Sequence, residues 1–201
     1  MGGPGEDLIE TERLVLEPID SKHVRGIFEA TVASRPELLP WMPWAREPTI
    51  ESVRTMLAET ERDRQEGTAL TFAVIERPGG AVLGVIGLNA IGDDRLELHY
   101  WMRTDHAGLG LTTEAGRALL EWAMRTQEVK RFVLWAGREN LGSRRVAEKL
   151  GFVHVGPLNW RPEGGLGEFD AESYELSLEP PPPSGPASLR PSSGRPQTSG
   201  P

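Results

Sequence analysis

The sequence contains no cysteine and only four histidines, and these shortages exclude several kinds of site. Without cysteine the chain can form no disulfide, no thiolate nucleophile and no cysteine-ligated metal centre. The histidines are scattered without the spacing of metal ligands, so we expect no metal cofactor; they are His23, His99, His106 and His154.

Long apolar runs are absent as well. No stretch approaches the ~20 apolar residues that a membrane-spanning helix needs, so we expect no membrane partner. The N-terminus has no basic segment followed by an apolar core, which is the pattern of a secretory signal. These absences predict a cytoplasmic protein.

Positive charge is in short supply, with 22 Lys and Arg against 30 Asp and Glu and a net charge of −8. A nucleic-acid partner requires a basic face to neutralise phosphates, so this balance argues against one. The acidic balance is compatible with a cationic acceptor such as an amine, and also with solubility alone.

Composition divides the 201 residues into three parts. Residues 1–7 are glycine-rich and are expected to form a flexible N-terminus. From residue 179 onward proline, serine and glycine dominate; such a segment cannot bury a core, so residues 179–201 are predicted to be a disordered tail. Residues 8–178 remain as one domain, which is long enough for a hydrophobic core.

The hydrophobic pattern predicts an α/β domain with a mixed, mostly antiparallel sheet of about seven strands, and about four helices. A helix from Asp20 or Ser21 to about Ser34 would bury one stripe that includes Val32. The strand at 96–102 leads through glycines into a central helix and then a strand at 131–136, so these two strands are expected to be parallel. The other predicted strands are 13–18, 70–76, 82–91, 152–155 and 170–178, and the other helices are 50–66 and 140–150.

The turn between the strand at 96–102 and the central helix contains Gly108 and Gly110. Glycine lets backbone approach a ligand closely, and the free N–H groups of a helix start favour an anion. The turn therefore predicts a cradle for phosphate or pyrophosphate, although a tight turn without a ligand fits equally well. A Walker loop would need a lysine after Gly110, and a Rossmann turn would need a third glycine where Thr113 stands.

Two segments together resemble a known family. Residues 97–102 (ELHYWM), followed by 108–115 (GLGLTTEA), are similar to the acetyl-coenzyme A loop of the GNAT acetyltransferases. Residues 140–152 (NLGSRRVAEKLGF) resemble a second signature, that of the RimJ/RimL type, the ribosomal-protein N-terminal acetyltransferases. The resemblance extends over roughly residues 8–178. It implies a GNAT-like sheet that is splayed at the acetyl-coenzyme A site, and direct acetyl transfer to a primary amine in a ternary complex.

The resemblance also implies how acetyl-coenzyme A would be held. Backbone groups of Trp101, Met102 and Arg103 would contact the pantetheine arm and the thioester carbonyl, and Asn140 would contact the pantetheine. Backbone N–H groups would bind the pyrophosphate; they belong to His106, Ala107, Gly108, Leu109, Gly110, Leu111 and Thr112. The chain departs from the family at Asp105, where many members have Gln or Arg, and this removes one cation from the loop.

Candidate catalytic groups follow from the same resemblance. Glu97 is our candidate general base, although it also fits an ordinary outward carboxylate on an alternating strand. Ser143 would lie near the sulfur and stabilise the leaving thiolate, whereas Asn140 and Ser143 also fit a helix cap. Tyr174 is a weaker alternative acid because its alternation fits a core position equally well.

The acceptor site is the least specified part of the sequence. The segment 38–44 (LLPWMPW) displays Trp41 and Trp44 either as a hydrophobic plug or as an acceptor wall, and the resemblance favours the wall. With Glu97 and Tyr100 they form the predicted substrate-binding set. The RimJ/RimL resemblance favours a protein N-terminal amine, and small amines such as antibiotics, polyamines or amino-acid-like compounds remain alternatives.

Two hypotheses from other functional classes also remain. A non-catalytic acyl-coenzyme A binding module would keep the glycine loop and lose Glu97 and Ser143. A dinucleotide-binding Rossmann enzyme is disfavoured by the antiparallel strands that precede the glycine loop. The edge of the last strands offers a surface for a homodimer, which no sequence feature specifies.

Overall fold

The computed structural model describes residues 8–92, 95–160 and 169–178. The described residues form eight strands and four α-helices. The strands are β1 (Ile9–Glu10), β2 (Leu14–Pro18), β3 (Ala69–Glu76), β4 (Val82–Ile91), β5 (Arg95–Met102), β6 (Arg131–Gly137), β7 (Val153–Trp160) and β8 (Phe169–Ser177). The helices are α1 (Val24–Leu38), α2 (Ile50–Glu66), α3 (Leu111–Thr126) and α4 (Leu141–Lys149). The predicted flexible N-terminus 1–7 and disordered tail 179–201 lie outside the described residues.

The eight strands form one sheet in the order β1-β2-β3-β4-β5-β6-β8-β7. Every neighbouring pair is antiparallel except β5 and β6, which are parallel. The predicted mixed, mostly antiparallel sheet and the parallel pair are therefore confirmed. The structure has one strand more than the seven predicted. The additional strand is the two-residue β1, which is too short to leave an alternating pattern in the sequence. β7 lies at one edge of the sheet, and the predicted homodimer through this edge stays a prediction.

Helices cover both faces of the sheet and divide the core in two. On one face, α3 packs with the large cluster that includes Leu98, Leu119 and Phe132. On the other face, α1 and α2 bury a smaller cluster that includes Ile27, Leu57 and Trp101. Among the described residues no helix is long and apolar enough to span a bilayer.

Two details of the predicted elements are wrong. Helix α1 does not end near Ser34 but continues through Pro36 to Leu38. Val32 is 47% exposed rather than buried, because the buried stripe of α1 passes through Ala30, Thr31 and Ser34 instead. At the other end of the chain β8 stops at Ser177, and Leu178 is exposed beyond it.

Helix ends follow the predicted signals more closely. Asp20 accepts a hydrogen bond from the Lys22 N–H and caps a short 3₁₀ turn that leads into α1. Thr49 and Ser52 exchange side-chain hydrogen bonds with each other's backbone N–H at the start of α2. Gly67 ends α2 at a φ of +72°, a conformation that glycine adopts without steric cost.

Candidate functional site

The parallel strands β5 and β6 separate within the sheet. Their pairing covers only Arg95–Glu97 against Arg131–Val133. Beyond it β5 stays paired with β4 as far as Met102, and β6 stays paired with β8 as far as Gly137. We call this divergence beyond Glu97 and Val133 the fork. It is the splay that the resemblance implies, and it opens a gap in the middle of the sheet.

The glycine loop lies where β5 leaves the fork. Gly108 and Gly110 have φ values of +80° and +79°, and α3 begins at Leu111 without a cap from any side chain in the described part of the chain. A Cβ added at Gly108 would meet no atom of residues 8–92, 95–160 or 169–178 within 4 Å, so these ranges leave the loop open on that side. The N–H groups at the start of the helix can therefore donate hydrogen bonds to an anion.

The N–H groups predicted to bind the pyrophosphate differ in whether they already donate a hydrogen bond within the chain. The N–H groups of His106 and Ala107 donate to the carbonyls of Arg103 and Thr104 within a 3₁₀ turn. The first helical bond of α3 comes from the Glu114 N–H. This geometry favours the N–H groups of residues 108–112 as the anion site.

Asp105, the departure from the family pattern, is held by two neighbouring side chains. Arg103 donates from Nε at 3.0 Å and from Nη2 at 2.5 Å, and His106 Nδ1 lies 2.7 Å from Oδ1. The hydrogen bond from Arg103, followed by that from His106, holds the pKa of Asp105 well below its usual range. The carboxylate is thus paired with basic groups and does not face the loop as an isolated negative charge.

A clamp of three residues ties the glycine loop to the N-terminal strands. Thr11 Oγ1 donates to Glu114 Oε1 at 2.6 Å, and Arg13 Nε donates to Glu114 Oε2 at 2.7 Å. Arg13 Nη1 also donates to the Leu109 carbonyl at 3.0 Å. Burial raises the pKa of Glu114, but the hydrogen bonds from Thr11 and Arg13 outweigh it and leave that pKa lowered. Arg13 therefore fixes the loop and the first turn of α3 relative to each other.

Replacement of Arg13 by alanine is expected to weaken acetyl-coenzyme A binding about tenfold while leaving kcat within twofold. The loop would lose the donor on its Leu109 carbonyl, so its N–H groups would no longer be preorganised for the anion. Calorimetric titration and steady-state kinetics would measure the two effects. Arg25→Ala is the matched control, because among the described residues Arg25 pairs with Glu29 alone, on the exposed face of α1. An unchanged affinity in Arg13→Ala would contradict the role of the clamp.

On the α3–α4 face of the fork, Tyr100 meets Ser143. Asn140 caps α4 by accepting from the Ser143 N–H at 3.1 Å, which confirms the predicted cap. The hydroxyls of Tyr100 and Ser143 are 2.9 Å apart, and that of Tyr100 also donates to the Ser143 carbonyl at 3.3 Å. Burial raises the pKa of Tyr100 to about 12, so this phenol stays neutral at pH 7. The pair joins β5 to the start of α4.

Tyr174, the alternative acid, lies on β8 and is hydrogen-bonded to Arg144. Its ring is fully buried, and its hydroxyl accepts a hydrogen bond from Arg144 Nε at 2.9 Å. The hydroxyl that contacts Ser143 is that of Tyr100, which the sequence placed among the substrate-binding residues.

Alternation along β5 places Glu97, His99 and Trp101 on the opposite, α1–α2 face. Glu97 Oε2 accepts from Asn89 Nδ2 at 3.2 Å. Burial raises the pKa of the Glu97 carboxyl above its ordinary value, and the hydrogen bond from Asn89 offsets this only in part. A raised pKa and a position at the base of the fork suit a proton acceptor.

The sequence reasoning missed His99. Its Nδ1 is buried and has no hydrogen-bond partner among the described residues, and burial lowers the pKa of His99 to about 4. Its ring lies over Gly87, where an added Cβ would be 2.6 Å from Cε1 and 2.7 Å from Nε2. The signal was in the sequence, because His99 follows Glu97 by two residues and so shares its face.

Two tryptophans of the segment between α1 and α2 reach both arms of the fork. Trp44 contacts Trp101 of β5, with ring centroids 5.7 Å apart and planes inclined at 60°. The ring of Trp41 covers Gly137 of β6, where an added Cβ would be 2.7 Å from Cζ3. Trp44 remains 51% exposed. We call Trp41 and Trp44, which lie across the fork on the face that carries Glu97 and His99, the wall; their role as an acceptor wall stays a prediction.

In the described ranges no group of three or more His, Asp or Glu side chains is arranged to hold a metal ion.

Comparison with known proteins agrees with this geometry. The family model described as acetyltransferase (GNAT) domain matches residues 13–153. The ribosomal-protein-serine acetyltransferase of Escherichia coli (strain K12) is 26% identical over 156 residues, which cover 76% of this chain and 86% of the relative. A solved structure of RimL, a ribosomal L7/L12 alpha-N-protein acetyltransferase in complex with coenzyme A, has a TM-score of 0.77 at 21% identity. It covers 85% of this chain and 98% of that chain. The microcin C7 self-immunity acetyltransferase MccE, in complex with acetyl-CoA and AMP, has a TM-score of 0.74 at 18% identity, covering 84% of this chain and 94% of that one.

Proposed function

The chain belongs to the acetyltransferase (GNAT) family, and we propose that the amine it acetylates is the N-terminal α-amine of a protein. The match to the family over residues 13–153 makes it an acetyl-coenzyme A-dependent N-acetyltransferase. The proposal concerns the acceptor, and its first support is the sequence similarity to a ribosomal-protein-serine acetyltransferase.

Acetyl-coenzyme A would enter the fork from the α3 side. The backbone of residues 101–103, at the end of β5, would contact the pantetheine arm, while the N–H groups of residues 108–112 would receive the pyrophosphate. Both sets are backbone groups, and the clamp of Thr11, Arg13 and Glu114 holds the second set in place. Binding would therefore tolerate Asp105, whose charge is already paired.

Acyl transfer needs a proton acceptor for the amine and a donor of hydrogen bonds for the leaving thiolate. Glu97, on the α1–α2 face, would take a proton from the incoming ammonium. A free α-amine has a pKa of about 8, so a carboxylate with a raised pKa is a closer match than an ordinary one. Ser143, on the α3–α4 face, would donate to the thiolate, and Tyr100 would then donate its one proton to Ser143 Oγ rather than to the Ser143 carbonyl.

The observation that carries the proposed acceptor is the wall of Trp41 and Trp44. The wall lies on the same face of the sheet as Glu97 and leaves Trp44 half exposed, so it can cover the first residues of a chain that continues outward into solvent. A closed pocket would instead be expected for a small amine that is enclosed on all sides.

The test is calorimetric titration with acetyl-coenzyme A, followed by measurement of free thiol with a panel of amines. The panel contains a peptide with a free N-terminal serine, the same peptide with a blocked N-terminus and an internal lysine, a polyamine and an aminoglycoside. Release with the free N-terminus alone would support the proposal. Release with a small amine alone would replace the proposed acceptor, and binding without release from any amine would favour the non-catalytic binding module.

Ser143→Ala is expected to lower kcat about ten- to a hundredfold, because a hydrogen bond to a charged group contributes about 1.5–3 kcal/mol. Tyr100→Phe should cost less, and the double variant should be no slower than Ser143→Ala, since Tyr100 acts through Ser143. Thiol-release kinetics would measure these rates, and calorimetry should show unchanged coenzyme affinity in all three variants. Additive losses would indicate that Tyr100 has a separate role, such as the predicted contact with the acceptor.

A further inference from the structure

Tyr174, for which the mechanism above has no use, is one of only two tyrosines in the chain. The hydroxyls of both tyrosines contact consecutive residues in the first turn of α4. Tyr100, on β5, lies 2.9 Å from the Ser143 hydroxyl, and Tyr174, on β8, accepts from Arg144 Nε at 2.9 Å. Because β6 lies between β5 and β8 in the sheet, the start of α4 is held from both sides of β6.

Helix α4 depends on such contacts because it is short. It has nine residues, and a helix of fewer than ~12–15 residues is marginal in water without tertiary support. Of these nine residues, all of which the structure describes, Ala147 alone is buried. Core packing therefore does little to fix the first turn of α4, and the place of Ser143 depends on the side-chain contacts made there.

Arg144 connects this first turn to two other parts of the domain. Besides its bond to Tyr174, it donates from Nη1 to the Arg138 carbonyl at 3.1 Å, in the turn that leads from β6 into α4. That turn is itself anchored, because Arg138 Nε donates to Glu172 Oε1 at 3.0 Å and Glu172 is buried on β8. The other carboxylate oxygen of Glu172 lies 2.6 Å from His154 Nε2. One planar guanidinium thus joins α4, the turn before it and β8.

Tyr174 is a rigid acceptor for this guanidinium. Its side chain is 1% exposed and packs in the large core cluster on the α3 side of the sheet. A buried tyrosine hydroxyl needs a hydrogen-bond partner, and Arg144 supplies it. Because the ring cannot move without disturbing the core, the bond fixes the position of the arginine.

We propose that Tyr174 and Arg144 are positioning residues for Ser143, a role that rests on the proposed function. We call their hydrogen bond the tether. The tether and Tyr100 hold the first turn of α4 from opposite sides, so that the Ser143 hydroxyl stays where the leaving thiolate forms. Loss of the tether would leave this hydroxyl intact but displaced, and a displacement of about 1 Å at a reacting group can lower a rate by about 10²-fold.

The first test measures kcat by thiol release, on whichever amine the wild-type protein acetylates. Tyr174→Phe removes the acceptor of the tether and keeps the ring in the core, whereas Arg144→Ala also removes the bond to the Arg138 carbonyl. We expect kcat to fall about threefold in Tyr174→Phe and about tenfold in Arg144→Ala. The double variant should equal Arg144→Ala, because the tether is already absent there. Arg145→Ala is the matched control: Arg145 is exposed on the same helix, and its loss should leave kcat unchanged.

The Ser143→Ala background separates positioning from a general loss of stability. If the tether acts through Ser143, neither Tyr174→Phe nor Arg144→Ala should lower kcat further once Ser143 is alanine. A residue that only stabilises the fold would lower kcat by the same factor in both backgrounds, and that result would overturn the proposal. A wild-type kcat in Arg144→Ala would overturn it as well.

Hydrogen exchange of backbone amides tests the tether without an acceptor amine. The Arg144 N–H donates to the Asn140 carbonyl at 3.1 Å in the first turn of α4. In Tyr174→Phe and Arg144→Ala this amide should exchange at least about fivefold faster than in the wild-type protein, because the first turn opens more often. The amides of α3 should keep their wild-type rates, and Arg145→Ala should exchange like the wild-type protein. Unchanged exchange of the residue 144 amide in both tether variants would contradict the proposal.

Failure of the proposed function gives a different set of results. If the wild-type protein released thiol with no amine, the proposed function would fail, and the positioning role would fail with it. If the wild-type protein were active and Ser143→Ala slow, while both tether variants kept the wild-type kcat, only the role of Tyr174 and Arg144 would fail.

Discussion

Replacement of Glu97 by glutamine is expected to lower kcat by about 10²–10⁴-fold, which is the usual contribution of a positioned general base. Glutamine has almost the same shape, and its carbonyl oxygen can still accept the hydrogen bond from Asn89. It cannot take up a proton from the ammonium. Thiol release from acetyl-coenzyme A under saturating acceptor would measure the loss, and calorimetry should show an unchanged dissociation constant for the coenzyme.

The pH dependence of the same variant follows from the raised pKa of Glu97. The base acts only when it is ionised, so wild-type kcat/KM should rise with pH as Glu97 loses its proton. Because burial raises that pKa, the rise should occur above the ~4.3 of an ordinary glutamate. In Glu97→Gln this rise of kcat/KM with pH should be absent, and any other pH dependence of kcat/KM should be unchanged.

Stability should change in the opposite direction to activity. A carboxyl whose pKa is raised by folding destabilises the folded protein at pH values above that pKa, and the penalty disappears below the pKa of the unfolded chain. Glutamine has no such penalty, so Glu97→Gln should unfold at the same or a higher temperature at pH 7. The control is Glu59→Gln on the exposed side of α2, which should change neither rate nor stability. A rate for Glu97→Gln within threefold of wild type would show that another group is the base.

The sequence predicted the parts of the site that depend on neighbours along the chain. The loop that leads from β5 into α3 could be recognised because Gly108 and Gly110 both take positive φ values, which glycine adopts at little cost. The parallel pairing of β5 and β6 followed from the connection through α3. Asn140 as a cap followed from its place before the helical pattern of α4.

Contacts between distant segments could not be predicted in the same way. Arg13 and Glu114 are 101 residues apart, and nothing in the local pattern of either one indicates the other. The same holds for Tyr100 and Ser143, whose contact depends on which side of β5 faces α4. That Nδ1 of His99 has no partner among the described residues depends on every element packed around it. Such features arise from tertiary packing and not from periodicity.

The error in α1 has a similar cause. The predicted helix ended near Ser34, before Pro36, and proline is unfavourable inside a helix because it removes one backbone donor and crowds the preceding turn. The helix nevertheless continues, because Ser34 and Leu38 are buried on either side of Pro36. Ser34 Oγ also accepts from the Thr104 N–H at 3.0 Å, just before the glycine loop. Packing here outweighs the local preference.

Gly84→Ala is expected to be among the most destabilising single substitutions in the domain, by about 3 kcal/mol or more. A Cβ at Gly84 would overlap the carbonyl oxygen of Trp101 and lie 2.8 Å from the Cα of Met102. Both contacts are with backbone, which cannot rotate away as a side chain can. The end of β5 would have to move, and with it the backbone groups that we assign to the pantetheine arm. Thermal unfolding should show a fall of roughly 6–12 °C in Tm.

Coenzyme affinity distinguishes a local displacement from general loss of stability. At a temperature where Gly84→Ala is still folded, its affinity for acetyl-coenzyme A should fall at least tenfold, because Trp101 and Met102 lie directly before the glycine loop. Gly79→Ala is the matched control: its added Cβ would be 3.5 Å from Glu76 Oε2, an ordinary contact, and it lies in the turn after β3. That variant should bind normally and unfold within about 1 kcal/mol of wild type. A stable Gly84→Ala with normal coenzyme binding would mean that β4 does not position the end of β5, and the close approach of these two strands would then have no part in shaping the fork.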